Sequence, residues 1–354
     1  MGPGFKIKGG TDIVGDSYWG TDFYPDPDPV DVAGHGTHVA GIVAASNDDN
    51  FVSVAPKAHL LAYKVFGNNY ESTGDDALIA AFVKAYDDGA DVINASIGGP
   101  SGWPEDAWAT VASRLVDRGI FIAISAGNSG ATGIWYGSSG SSGKSVLAVA
   151  SVDTESFLAF DATVTGNRSV AYLATQLKAF VSTGPMEIVA TSNDTTIAND
   201  ACTALPAGTN LTGKLALIRR GGCNFSVKEA NAAAAGAEYV WFYNLPDSAT
   251  TYPSVPIPET KGFAMITVAD GEAIVKQLLA GTAVTAVFST GAPVAAPNTL
   301  SGGKVSTYSS WGPTNEAGIK PEIAAPGGNI YSTYPLALVS NHHRYHEISL
   351  INNP

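Results

Sequence analysis

Residues 34–44 read GHGTHVAGIVA, which sets His35 and His38 three apart among glycines at the start of a small-residue helical pattern. A histidine at a helix mouth can act as a general base, a His-x-x-His pair can ligate zinc, and either ring can simply pack in a core. Zinc would need a third and a fourth ligand, and no nearby Cys or patterned Glu supplies one. Two other stretches complete a different chemistry. SIGG (96–99) follows the apolar run DVIN, and SAGNSG (125–130) follows IFIAI. Asn128, set in a glycine loop, carries an amide that can stabilise an oxyanion. A histidine base, a glycine-rich strand end and an asparagine donor are parts that acyl transfer uses.

These residues need a scaffold, and the flanking sequence describes one. HLLAYKVF (59–66), DVIN (91–94), GIFIAIS (119–125) and SVLAVAS (145–151) are continuous apolar runs, the mark of strands buried on both faces. Helical patterns separate them. In STGDDALIAAFVKAYDDGA, Leu78, Phe82 and Ala85 share a face and Gly89 can end the helix; in PEDAWATVASRLVDRG, Trp108, Val111 and Leu115 do the same, with Gly119 at the end. The alternation predicts an α/β fold with a doubly wound parallel sheet, whose ligands gather beyond the carboxyl ends of the strands. The three chemical stretches fall there. Residues 163–298 have another texture, rich in Thr and Ala, with strand-like runs at 214–220, 237–244 and 263–268 and a helix candidate at 226–237. They read as a separate, mostly-β domain inserted into the first. The first texture returns at VSTYSSWGP (305–313), and 318–332 reads as a glycine- and proline-punctuated loop region.

Composition narrows the partners. The 354 residues carry 19 Lys and Arg against 32 Asp and Glu, a net charge of −13, which argues against nucleic acid. No apolar run reaches membrane-spanning length, and MGPGFKIKGG has no apolar signal-peptide core. Asn-x-Ser/Thr sequons nevertheless begin at Asn94, Asn167, Asn193, Asn210 and Asn224, and the clustering of four between 167 and 226 suggests a secreted, glycosylated surface. Cys202 and Cys223 are either two free thiols or a disulfide closing a loop of roughly 20 residues, worth about 3 kcal/mol if oxidised.

The blocks GHGTHVAGI, VAPKAHLLAYKVF, DVINASIGG, SAGNSG, VSTYSSWGP and KPEIAAPGGNIYS resemble, in family order, those of the subtilisin-like serine proteases, the subtilases. GKLALIRRGGCNFSVKEANAAAAGAEYVWFYN resembles a protease-associated (PA) domain, an arrangement similar to secreted PA-containing subtilases. The resemblance implies a catalytic domain over 1–160 and 299–338, an insert over 163–298 containing the PA domain, and a non-family tail over 339–354. It implies that His35 is the catalytic base and Asn128 the oxyanion donor, while His38 packs. Ser96, Ile97 and Gly98 match the wall that pairs with substrate backbone; Ser125, Ala126 and Gly127 match the opposite wall. Ile97 points to a preference for bulky apolar side chains. The implied partner is a protein or peptide substrate, with no cofactor. Subtilases often hold structural calcium, but no dense carboxylate loop places a site.

Two catalytic parts are not found in this sequence. A subtilase triad runs Asp, His, Ser, yet no Asp-Thr-Gly or Asp-Ser-Gly motif precedes His35, and no Gly-Thr-Ser-Met-Ala block follows APGGNIYS. The tail instead carries His342, His343 and His346, and Val339-Ser340 can be encoded by a splice-donor sequence. The expectation is a fragment, inactive as written, produced by an intron read through or a misdrawn gene boundary. The alternatives are a non-catalytic pseudoprotease or PA-domain peptide-binding protein, and a metal-dependent hydrolase using His35 and His38.

Overall fold

The structure, a computed structural model, describes the chain except residues 1, 3, 47–50, 69–71, 175–177, 249–250, 254, 256–257 and 336–354. The tail histidines therefore lie outside the described residues. The chain divides into two compact units, 1–153 with 303–354, and 154–302.

The first unit is α/β. Its elements are β1 (Ile7–Asp12), α1 (His35–Ala44), β2 (Leu60–Lys64), α2 (Asp75–Asp87), β3 (Val92–Ala95), α3 (Ala107–Val116), β4 (Phe121–Ser125), β5 (Leu147–Asp153) and the last strand, β14 (Ile323–Gly328). The strands pair in parallel as β1-β2 and as β14-β5-β4-β3. Apolar side chains from α2 (Leu78, Phe82, Ala85) and α3 (Trp108, Leu115) bury against Ile93, Ala95, Ile122 and Ile124. Trp108 is fully buried and meets Phe82 edge-on, with ring centroids 5.5 Å apart. Both helices end where the glycines allow, Gly89 and Gly119 taking φ of 81° and 101°.

Two expectations are corrected here. Among the described residues the parallel strands form two sheets rather than one doubly wound sheet. Their apolar runs are not buried on both faces: β3 alternates exposed and buried, and Val92 and Phe121, directly paired across β3 and β4, are both exposed. The α2–α3 layer covers one face only. The second correction is β14, which forms inside the stretch expected to be loop. Pro326 disguises it; proline cannot donate to a ladder, and β14 takes the edge position where that is tolerated.

The second unit is mostly β. It comprises β6 (Ser156–Val164), β7 (Arg168–Ala174), β8 (Met186–Ala190), β9 (Leu215–Arg219), α4 (Phe225–Ala234), β10 (Tyr239–Tyr243), β11 (Phe263–Ile266), α5 (Val268–Leu279), β12 (Thr285–Phe288) and β13 (Val294–Pro297). β8 to β11 run parallel, β6 and β7 form a hairpin, and β12 pairs with both β8 and β6, so the sheet closes on itself. Inside lie Leu215, Leu217, Tyr172, Trp241, Ile266 and Phe288. Cys202 and Cys223 are joined, their Cα atoms 5.8 Å apart. No helix among the described residues is long and apolar enough to cross a membrane.

Candidate active site

His35 is the first residue of α1 and is half-buried. The helix begins at Gly34, whose φ of 107° and close approach to the Tyr334 ring exclude a side chain; an added Cβ would lie 2.2 Å from that ring. With no side chain of its own, this N-cap is served by Asp31. Asp31 Oδ1 accepts from the Ala33 and Gly34 amides, both at 2.9 Å, and Oδ2 from the Thr37 amide and hydroxyl, both at 2.7 Å. Burial opposes ionisation of Asp31, but the bonds from Gly34, Thr37 and Ala33 prevail and hold its carboxyl below the usual range.

The other side of α1 is fastened to the segment after β14. His38 is buried and its Nε2 lies 3.1 Å from the Ile330 carbonyl. Ser332 Oγ donates to the His38 carbonyl at 2.6 Å, and Thr333 Oγ1 to the Thr37 carbonyl at 2.8 Å. Gly41 permits this contact, since a Cβ there would meet the Thr333 and Ser332 hydroxyls at 2.2 and 2.3 Å. Burial pushes the His38 pKa down, against the Ile330 carbonyl and with the help of the nearby His35. His38 thus packs and orients.

The two stretches expected to be walls are brought together by adjacency of β3 and β4. Their register pairs Ala95 with Ile124, so Ser96–Gly98 and Ser125–Gly127 leave neighbouring strand ends side by side. Buried Ser138 packs between them. Its amide donates to the Ala126 carbonyl at 2.9 Å, and Cβ atoms added at Gly98 and Gly127 would approach its side chain to 1.7 and 3.2 Å. Ser310 buttresses the second wall: its amide donates to Gly127 O at 2.8 Å, and its hydroxyl accepts from the Ser129 amide at 2.9 Å. Asn128 follows the second stretch and is exposed, its carboxamide bonded to no described residue. Sequence reasoning missed Asp31, Ser138 and Ser310. The SSWGP stretch contains Ser310, but nothing in sequence says that Ser310 reaches back across 181 residues.

An acidic cleft lined by Asp16, Asp26, Asp28 and Asn68 is the nearest approach to a calcium site. It does not fit the ion's demand for six to eight oxygens, because Lys64 bonds Asp16 and the Asp28 amide occupies Asp26 Oδ1. Among the described residues no three His, Cys, Asp or Glu side chains converge as a metal would require.

Residues 12–350 match the Subtilase family. The chain is 32% identical over 338 residues to the PII-type proteinase of Lacticaseibacillus paracasei, an alignment covering 84% of this chain and 17% of that protein. It is 32% identical over 305 residues to the minor extracellular protease Vpr of Bacillus subtilis (strain 168), covering 85% of this chain and 35% of that one. Among solved structures, the psychrophilic subtilisin-like protease Apa1 of Pseudoalteromonas sp. AS-11 superposes with a TM-score of 0.42 at 19% identity, covering 84% of this chain and 74% of that chain. The chain thus spans between about a sixth and about a third of the two curated relatives. A glycine-flanked histidine opening a helix, two glycine-rich strand ends packed on one serine and an exposed asparagine beside them occur here within a sequence matched over residues 12–350, and the chain belongs to the subtilase family.

Proposed function

We propose that this chain supplies the base, the oxyanion donor and the substrate crevice of a serine-type endopeptidase acting outside the cell on polypeptides. The observation that carries the reading is the close approach of Gly98 and Gly127 to buried Ser138 at the ends of the adjacent strands β3 and β4, next to the exposed Asn128. Glycine on both sides leaves backbone exposed for an extended peptide to pair with. His35 takes the proton of a nucleophilic hydroxyl and returns it to the leaving amine. Asn128 donates to the tetrahedral oxyanion, a contact whose loss costs about 10²–10³ in turnover in such enzymes.

A polypeptide of these 354 residues carries no Gly-Thr-Ser-Met-Ala nucleophile block and no Asp-Thr-Gly or Asp-Ser-Gly strand end. We infer that this polypeptide does not cleave peptide; the second reading is a non-catalytic pseudoprotease or PA-domain peptide-binding protein. The 163–298 insert is read as containing a protease-associated domain; what supports this is that 213–244, which resemble that domain, span β9, α4 and β10. The test is labelling with a fluorophosphonate serine probe alongside casein hydrolysis. Neither signal is expected from the purified chain; labelling abolished by heat, or turnover that survives mutation of contaminant-sensitive controls and falls with His35→Ala, would overturn the inactivity.

A further inference from the structure

The fold sorts the five Asn-x-Ser/Thr sequons, none of which the proposed chemistry uses. Asn94 lies inside β3, between buried Ile93 and Ala95. The other four asparagines belong to the second unit, lie outside its strands and are all exposed. Three of these four come together at one end of the closed sheet. β8, β9, β10 and β11 run parallel with their carboxyl ends level: the Thr191 amide donates to Leu217 O at 3.1 Å, the Arg220 amide to Tyr243 O at 3.0 Å and the Asn244 amide to Ile266 O at 3.3 Å. Asn193 stands just beyond β8, and Asn224 just beyond β9, as the N-cap residue of α4. Asn167 reaches the same end from the other side. β7 pairs antiparallel with β11, so the β6–β7 turn lies beyond the carboxyl end of β11. There the Arg168 guanidinium donates to Asp270 O at 3.2 Å, in the first turn of α5, the helix that leaves β11. Asn210 precedes β9 and stands at the opposite end.

This rim tolerates a bulky group on each of the three carboxamides. The Asn224 side chain makes no cap bond to α4, and Asn167 occupies the hairpin turn with a φ of 61°, a conformation that asparagine accepts. A substituent on either nitrogen therefore disturbs no contact that holds the unit together. The disulfide is an independent observation at the same rim. Cys202–Cys223 ties the segment 191–202 to the loop before α4, and such bonds form in the oxidising compartments through which secreted proteins pass. The segment is a strap without helix or strand, held from inside. Arg219 donates to Thr196 O at 2.7 Å, and fully buried Lys228 donates to the Asp200 carbonyl. Its outer side, Asp194 and Thr196 to Asn199, is exposed, and exposed polar segments of this kind are where proteases nick a fold.

We propose that Asn167, Asn193 and Asn224 carry N-linked oligosaccharides that sheathe the carboxyl rim of the second unit and shield the 191–202 strap. In the transfer, each asparagine Nδ2 forms a bond to the anomeric carbon of an oligosaccharide held on a lipid diphosphate. The bond from that carbon to the diphosphate oxygen breaks, and one amide proton leaves with the lipid diphosphate. The group added is bulky and solubilising, and belongs on a surface. The proposal shares with the proposed function only passage out of the cell, and its test involves no peptide cleavage by this chain, so the two fail separately. The full chain is produced behind a cleavable secretory leader in eukaryotic cells, and the disulfide is confirmed by non-reducing peptide mapping. Glycans are then released by peptide N-glycosidase in heavy-oxygen water and the peptides read by mass spectrometry. The expected result is heavy oxygen at positions 167, 193 and 224, with one glycan's mass lost in each of Asn167→Gln, Asn193→Gln and Asn224→Gln. A disulfide-bonded preparation with the label missing from the rim, or confined to Asn94 and Asn210, overturns the proposal. The shield is tested by thermolysin digestion of the folded protein with glycans intact, with glycans trimmed, and in the triple Gln variant. Cleavage within 191–202 should quicken several-fold in the last two at an unchanged melting temperature. An unchanged rate at the strap overturns the shield.

Discussion

Asp31 supplies the cap that Gly34, lacking a side chain, cannot give to α1. Asp31→Ala should destabilise the chain by about 1–2 kcal/mol, read by urea titration. Its carboxyl is held low, so this contribution is complete above the ordinary carboxylate range, about 3.9, and disappears as pH falls through the folded-state value. A wild-type advantage over Asp31→Asn that persists unchanged at pH 2 would show that charge is not the cause. His38 has the opposite chemistry and the same direction. Its folded pKa is depressed, so folding favours the neutral ring; stability is complete above about 6.5 and falls as pH drops below it toward the folded value. His38→Gln should flatten the stability profile between pH 7 and pH 5. At this scale the sequence brought 96–98, 125–127, Asn128 and both histidines forward as candidates, because each sits in a local motif. The place of Ser138 was invisible, since it depends on contacts with residues some 40 positions away.

Elements were legible where one periodicity ran uninterrupted between clear stops. α2 and α3 carry acidic or polar starts, one apolar face and a terminal glycine, and their buried residues include Leu78, Phe82, Trp108 and Leu115 as the spacing requires. Trp108→Ala should cost about 3–5 kcal/mol, and a loss under about 1 kcal/mol would mean the α2–α3 layer is not the main support of the sheet. The β6–β7 hairpin went unassigned although its turn residues stand in the sequence. The three-residue loop Thr165–Asn167 puts Gly166 and Asn167 at φ of 88° and 61°, a left-handed conformation that glycine and asparagine tolerate. β14 was hidden by its proline, and the one-sided burial of β3 and β4 could not be read from apolar runs. A strand's composition records a preference for burial, whereas the layer that supplies it is a property of packing.

At the scale of the molecule, each unit has its own core, and the second closes its sheet without help from the first. Residues 154–302 should therefore fold as an isolated domain with a cooperative melt, and Cys202→Ser/Cys223→Ser should lower its stability by about 3 kcal/mol. The first unit exposes Val92 on β3, a terminal strand of its sheet among the described residues, next to the exposed Phe121. Such an edge invites pairing between molecules. Val92→Lys should reduce self-association in sedimentation without lowering the melting temperature, and unchanged association would place the contact elsewhere. The central claim concerns the crevice, and amide hydrogen exchange with and without an extended peptide tests it most directly. The account predicts slowed exchange concentrated in 96–98, 125–128 and 137–139. Slowed exchange confined to 154–302, or none in the two walls, would contradict it.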